Sequence, residues 1–164
     1  MSPLYLLISC LIVLVIAGVL LWIHLVTLQR DLDASWQDLL QKLHLRLDKI
    51  PRLLETIKPF IDDNILMDVI AKRTALWPMD KPDRERVEKE LEFDTQLQDL
   101  LKSIEQNQEI KHQTNYLASL EELVSVKREI ETLTEQYNKK VRSYNHYRLF
   151  GVIGVKHRPI FEME

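Results

Sequence analysis

The sequence is poor in the residues that build tight turns, disulfides and glycine-rich loops. It contains three glycines and one cysteine among 164 residues, and two of the glycines, Gly151 and Gly154, lie near the C-terminal end. β-Hairpins and phosphate-binding loops depend on glycine, so its scarcity argues against a β-rich fold and against a nucleotide-binding loop. The single cysteine, Cys10, excludes an intramolecular disulfide framework.

Charged residues are absent from the first part of the chain. The first of them is Arg30, so all 22 basic and 25 acidic residues lie at or beyond that position. The formal net charge of -3 provides no positive field that would attract nucleic acid. We therefore expect no nucleic-acid partner.

The uncharged part contains an apolar run that is long enough to cross a membrane. Residues 4–26 are apolar apart from Ser9, Cys10 and His24. As a helix this run would be about 35 Å long, whereas the hydrocarbon core of a bilayer is roughly 30 Å thick. The sequence therefore predicts a transmembrane anchor at residues 1–27, with residues 4–26 in contact with the lipid bilayer.

A cleaved signal peptide is the alternative interpretation of this run. Signal peptides have a basic start, a shorter apolar stretch and a small-residue cleavage site, and this run has none of these features. Arg30, Lys42 and Arg46 follow the run, whereas no Lys or Arg precedes it. The positive-inside rule then predicts a single-pass protein of the cell membrane, with its N-terminus outside and the remaining residues in the cytoplasm.

Beyond the run, hydrophobic residues recur alternately four and three positions apart, which is a heptad seam on one helix face. The seam passes Pro51 without a change of phase, so we predict one helix that is kinked where proline removes the bond to the Leu47 carbonyl. A new helix that begins at Pro51 is the alternative. Pro59 and the polar residues 62–64 mark the end of this helix. The seam consists of Trp36, Leu40, Leu43, Leu47, Ile50, Leu54, Ile57 and Ile61.

One short helix and two long helices are predicted after the seam. The short helix covers residues 64–76, and Pro78 and Pro82 bound a connector at residues 77–83. The two long helices are separated by a turn somewhere in the polar stretch 105–115. The inward-facing residues are predicted to be Leu66, Val69, Ile70 and Trp77, then Val87, Leu91, Leu97, Leu101 and Ile104, then Tyr116, Leu120, Leu123, Ile130, Tyr137, Val141 and Tyr144.

These helices must pair, because isolated amphipathic helices are only marginally stable in water. The predicted fold class is all-α: an N-terminal transmembrane helix followed by an up-and-down bundle of three long helices and one short helix. The bundle is assigned to residues 28–148 and a C-terminal tail to residues 149–164. The tail would either cap the bundle or lie on the membrane surface or against a partner.

Two segments resemble the LemA family. Trp36 followed by RLDKIPRLLETIK at residues 46–58 is similar to the family's Trp and its Arg-x-Asp-Leu-Ile-Pro-x-Leu-Val-Glu-x-Val-Lys run, and Arg73 resembles a later family arginine. Residues 137–145, with Tyr-Asn at each end and Val141 between, resemble the family's Tyr-Asn-x-x-Val-x-x-Tyr-Asn segment. The resemblance implies a membrane-anchored helical bundle, and it implies no particular catalytic activity.

The resemblance has departures that indicate a divergent member. The family's Tyr-Pro pair would fall near Asn107, Thr134 stands where the family has Arg, and the family's Phe-Pro after the second Tyr-Asn is absent. The segment around Pro51 is the most specific part of the resemblance.

Charged residues around Pro51 form the first candidate site. At 100° per residue, Asp48, Arg52 and Glu55 point away from the seam, while Arg46 flanks it. Asp48, Arg52 and Glu55 would form a docking face for a protein partner, with Arg46 at its edge. The simpler interpretation is a solvated face with local ion pairs, each of which contributes about 0.2–0.5 kcal/mol.

The Tyr-Asn repeats form the second candidate site. Tyr137 and Tyr144, like Asn138 and Asn145, are seven residues apart and therefore lie along one side of a helix. Buried Tyr hydroxyls and Asn amides need hydrogen-bond partners, so the repeats predict a polar layer that fixes the register of the bundle. A binding site within the bundle is the alternative.

Catalytic and metal-binding patterns are weak. Glu109 and His112 have the Glu-x-x-His spacing, but a di-iron bundle requires two such pairs and two further carboxylates. We therefore predict no enzyme activity and no cofactor. The leading hypothesis is a non-enzymatic interaction or scaffold module with unknown protein partners and an unspecified oligomeric state. The alternative is a ligand- or metal-binding bundle with an inward polar site near the Tyr-Asn repeats.

Overall fold

The computed structural model describes residues 3–149 and 157–161, and no strand occurs among them. The helices are α1 (Pro3–Ile57), α2 (Asp63–Leu76), α3 (Arg84–Glu105), α4 (Gln108–Lys111) and α5 (Thr114–Leu149), with a 3-10 turn at Lys58–Phe60 after α1. The predicted all-α class is confirmed. The predicted tail at residues 149–164 lies partly outside the described residues.

Helix α1 continues without interruption from the apolar run into the bundle. It has 55 residues, which corresponds to a length of about 80 Å. It passes through Pro51 in one piece, in agreement with the unbroken seam. All side chains at residues 7–24 are exposed, and α1 is long and apolar enough to cross a membrane. Such exposure distinguishes this segment from the core helix of a soluble protein.

Helices α1 and α5 form a long antiparallel pair. Near the apolar run, His24 Nε2 lies 2.8 Å from the Tyr147 hydroxyl oxygen. Further along α1, Lys49 Nζ lies 2.9 Å from Glu122 Oε2. Residue numbers thus fall along α5 as they rise along α1. The C-terminal end of α5 is consequently next to the end of the apolar run.

The heptad seam forms the core that α1 contributes. Its residues from Trp36 to Ile57 are buried, and only Ile61 is partly exposed. On α5 the predicted stripe is also buried apart from Leu120, which is partly buried. Burying one such aliphatic or aromatic side chain stabilises the fold by about 1.5–3 kcal/mol. These two stripes are therefore the main apolar contribution to the pairing of α1 with α5.

The inward faces of α2 and α3 differ from the prediction. Ile70 and Trp77 were predicted to face inward but are exposed, and Leu76 is buried instead. On α3, Leu91 is exposed while Phe93 and Leu100 are buried. The prediction was wrong for Leu91, whereas Leu97 and Ile104 are buried as predicted. The buried face of α3 also contains charged residues, which shift its phase.

Helices α2, α3 and α4 each begin at a side-chain cap. The carboxylate of Asp62 accepts a hydrogen bond from the Asn64 backbone N–H at 2.8 Å, and Asp83 and Asn107 have the same role at α3 and α4. Caps of this type stabilise a helix by about 1 kcal/mol. Helix α4 lies inside the predicted polar turn at residues 105–115 and was not predicted as a separate element.

Candidate functional site

Four charged side chains are buried between α1 and α3. Arg46 bonds to Glu90 and, at 3.3 Å, to Asp94 Oδ1, and Glu90 also accepts a hydrogen bond from Arg86. The exposed fraction is 0% for Arg86 and Glu90, 2% for Arg46 and 3% for Asp94. We call these four residues the buried charge cluster. Their two positive and two negative charges compensate each other inside the bundle.

The buried charge cluster connects several elements of the bundle. Arg86 donates to the backbone carbonyls of Leu76 and Met79, which joins α3 to the end of α2 and the connector. Lys127 Nζ of α5 lies 3.7 Å from Asp94 Oδ2. Burial lowers the pKa of Arg86, and the neighbouring Glu90 carboxylate opposes that shift. The cluster therefore fixes the positions of α1, α3 and α5 relative to one another.

Sequence reasoning placed Arg46 at the edge of a docking face, and the structure instead places it in the core. The Phe93 ring lies 5.3 Å from its guanidinium carbon. Arg86, Glu90 and Asp94 were not predicted as site residues. A signal was available, because these three residues share a helical phase with Phe93 and with the buried aliphatic residues of α3.

The other charged candidates near Pro51 are exposed and do not converge on one point. Arg52 Nη1 donates to Glu122 Oε1 on α5 at 3.1 Å. Lys49 binds the same carboxylate, and its hydrogen bond is the main cause of the lowered pKa of Glu122. Asp48 is exposed, and Glu55 borders a groove between α1 and α2. The structure thus separates Asp48, Arg52 and Glu55 from Arg46.

Pro51 and Arg73 are linked through the backbone of α1. Proline has no N–H, so the carbonyl of Leu47 lacks its usual partner within the helix. The Nε–H of Arg73 on α2 donates to that carbonyl at 2.7 Å, and its guanidinium carbon lies 5.4 Å from the centroid of the Trp77 ring. Arg73 therefore anchors α2 to α1 at the position that Pro51 leaves open.

The groove between α1 and α2 begins at this anchor and has a volume of about 320 Å³. We call it the Pro51 groove. Its apolar lining comes from Pro51, Leu54, Leu66 and Ile70, and its polar lining comes from Glu55, Lys58 and Arg73. Such a combination of apolar surface and a few polar groups is typical of binding sites.

The two Asn residues of the Tyr-Asn repeats hold the segment at residues 157–161. Asn138 accepts from the Phe161 N–H at 2.8 Å and donates to the Phe161 carbonyl at 2.5 Å. Asn145 makes the same two bonds with the backbone of Arg158, at 3.2 and 2.9 Å. Seven helical residues and three extended residues both span about 10 Å, so the two spacings match. We call this arrangement the tail clamp.

Aromatic packing and one ion pair complete the tail clamp. The centroid of the Phe161 ring lies 5.8 Å from the centroid of the Trp36 ring. The centroid of the Tyr137 ring lies 5.5 Å from the same point. Arg158 Nη2 donates to Asp33 Oδ1 at 2.6 Å. Burial raises the pKa of Tyr137 to about 12. The amides that sequence analysis considered as a polar layer or ligand site are therefore bonded to the chain's own backbone.

Metal-binding clusters are not found in the part of the chain that the structure describes. No group of three or more His, Cys, Asp or Glu side chains there is arranged to hold an ion. Glu109 and His112 lie at α4 and the residue that follows it.

The amino-acid sequence was compared with models of known protein families. The LemA family profile matches residues 35–162, a range that includes Pro51, Arg73, Asn138 and Asn145. No curated protein matches the chain significantly. The family match covers most of the chain and starts one residue before Trp36, the first residue of the heptad seam. The chain belongs to the LemA family.

Proposed function

We propose that the protein is a non-enzymatic scaffold, anchored in the cell membrane by α1, that binds a protein partner at the Pro51 groove. The observation that supports this most is the apolar surface next to the groove on α2. Met67 and Ile70, three residues apart, are exposed there, Met67 by 65%, and Trp77 is exposed directly after α2. Soluble surfaces seldom expose apolar residues in a cluster unless they bind something, and Met, Trp and Arg are enriched at interfaces.

The composition of the groove favours an amphipathic helix as the bound segment. Leu54, Leu66 and Ile70 would receive its apolar side chains. Lys58 and Arg73 at the groove are basic and Glu55 is acidic, so charged side chains at the edges of the helix would fix its direction. Helix-in-groove recognition uses this division between apolar anchors and polar edges.

The geometry of α1 would hold the Pro51 groove at a fixed height above the bilayer. Pro51 lies 25 residues beyond Val26 on the same uninterrupted helix, which is about 37 Å along the helix axis. A partner would therefore bind well outside the headgroup region. The scaffold would hold that partner alongside α1 at this distance from the bilayer.

Site-specific photo-crosslinking in intact membranes tests the proposal. A photoreactive amino acid at Ile70 should give a discrete adduct with a protein partner. The matched control is the same amino acid at Leu117, which is also exposed and apolar but lies on α5. Met67→Glu should abolish the Ile70 adduct without changing the helix content. The absence of an Ile70 adduct, or equal adducts from both positions, would contradict the proposal.

We further propose that the N-terminus is outside and that the bundle lies in the cytoplasm. The support is the distribution of basic residues, since Arg30, Lys42 and Arg46 follow the apolar run and none precedes it. A reporter that is active only in the cytoplasm, fused after Glu164, should be active. An inactive fusion, together with activity of an exported reporter at the same position, would reverse the orientation.

A further inference from the structure

Positive charge is concentrated at one end of the sequence. Residues 136–164 contain six Lys or Arg and only two acidic residues, Glu162 and Glu164. The chain as a whole has a formal net charge of -3, so the remaining residues are markedly acidic. This separation of basic from acidic residues is not required for solubility, because a surface with both signs interspersed is sufficient.

The antiparallel pairing of α1 and α5 brings this basic segment to the end of the apolar run. Tyr147 is level with His24, and Lys140 Nζ donates to the backbone carbonyl of Asp31 at 3.3 Å. In this register Arg142 and Lys139 lie about 5 and 9 Å beyond the level of Val26. Both distances are comparable to the Debye length of about 8 Å at physiological ionic strength.

Lys139 and Arg142 are also free to bind something outside the chain. Both side chains are exposed, and their spacing of three residues places them on the same face of α5. Neither forms a salt bridge with the residues that the structure describes, unlike Lys127 and Arg158. No described carboxylate therefore neutralises their charges.

Acidic residues near this level do not cancel the positive charge. Asp33 is paired with Arg158, and Asp31 is offset by Arg30 next to it in the sequence. Asp38 and Glu135 lie about 15–18 Å beyond the level of Val26, where salt screens them from the bilayer surface. The end of the bundle beside the apolar run therefore presents a net positive surface.

We infer that Lys139 and Arg142 bind anionic lipid headgroups and hold the base of the bundle against the membrane surface. This inference rests on the proposed anchoring of α1 in a bilayer. A basic side chain at about a Debye length or less from an anionic surface is attracted to it strongly enough to change lipid association about fivefold. Two such residues on one face, with Lys140 and Arg158 nearby, would select anionic lipids from a mixed bilayer.

Lipid selectivity of the reconstituted full chain tests the inference. The chain is inserted into phosphatidylcholine vesicles with a trace of spin-labelled phosphatidylglycerol or spin-labelled phosphatidylcholine. The fraction of motionally restricted label gives the relative association of each lipid. The parent chain should prefer phosphatidylglycerol, and Lys139→Gln with Arg142→Gln should reduce this preference about fivefold for each charge removed. Salt at about 1 M, where the Debye length is about 3 Å, should also suppress it.

Two controls make the result specific. Lys111→Gln with Arg128→Gln removes two exposed charges far from the apolar run and should leave the preference unchanged. Lys139→Arg with Arg142→Lys exchanges the two cations and should retain it. A parent chain without any preference, or equal losses in both glutamine variants, would overturn the inference. Failure of the parent chain to float with neutral vesicles would instead overturn the anchoring itself.

Discussion

At the scale of single residues, Arg73 replaces the backbone donor that Pro51 lacks, so the two residues should be energetically coupled. Arg73→Ala leaves the Leu47 carbonyl without its partner and should lower the free energy of unfolding by about 1–3 kcal/mol. In a Pro51→Ala background the new backbone N–H can satisfy that carbonyl, so the same substitution should cost less. Urea unfolding of the four chains as a double-mutant cycle measures the coupling, and additive losses would contradict it.

Arg46 and Arg52 provide a matched comparison between buried and exposed ion pairs on the same helix. Arg46→Met leaves Glu90 and Asp94 as buried charges with one partner fewer and should destabilise the fold by about 3–5 kcal/mol. Arg52→Met removes an exposed pair with Glu122 and should cost at most about 1 kcal/mol. Thermal unfolding in detergent compares the two. Equal losses would show that the buried charge cluster has no special role.

The pKa of Tyr137 predicts a loss of stability at high pH. Burial raises this pKa from 10.0 to about 12, so the folded state holds the phenolic proton more tightly than the unfolded state. The resulting stabilisation is complete below pH 10 and is lost as the pH rises through 12, with a total of about 2–3 kcal/mol. Tyr137→Phe should lose less stability than the parent chain over this range. Identical pH profiles would contradict the assignment.

At the scale of elements, the tail clamp should depend on two amides. Asn138→Ala with Asn145→Ala removes four hydrogen bonds to the segment at residues 157–161. The backbone amides of Arg158 and Phe161 should then exchange with deuterium much faster, while the amides of α5 keep their protection. Gln136→Ala, at an exposed position two residues before Asn138, is the control. Slow exchange at Arg158 and Phe161 in the double variant would contradict the clamp.

Helices α1 and α3 show which buried faces could be predicted from the sequence of one helix alone. The heptad spacing from Trp36 to Ile57 was sufficient to predict most of the buried face of α1, because that face is apolar apart from Ser35 and Arg46. On α3 the buried face includes Arg86, Glu90 and Asp94, which only a partner such as Arg46 makes acceptable. A hydrophobic pattern cannot reveal such a partner, since it lies some 40 residues away in the sequence.

For the candidate sites, too, the sequence predicted only some of the interacting residues. The Tyr-Asn repeats were predicted to be important from their spacing alone, but their partner is a short extended segment that has no periodic signal. The pairing of Pro51 with Arg73 was likewise hidden, although both residues belonged to the family resemblance. In each case the sequence indicated one half of an interaction, and the fold supplied the other half.

At the scale of the whole molecule, α1 joins the apolar run to the bundle as one helix. The two ends of the bundle then have different roles: the basic end of α5 would contact lipid headgroups, and the Pro51 groove would receive a partner further away. Both proposals require that the bundle stands upright on the membrane. They fail together if the bundle has another orientation relative to the bilayer.

Electron paramagnetic resonance with lipid-bound Ni²⁺ tests this orientation directly. On a Cys10→Ser background, one cysteine at Ser143 or at Met67 carries a nitroxide, and the bilayer contains a Ni²⁺-chelating lipid. The account predicts strong relaxation of the label at position 143, near the headgroups, and little relaxation at position 67, which lies close to the Pro51 groove. Equal relaxation at both positions, or stronger relaxation at position 67, would contradict the upright bundle.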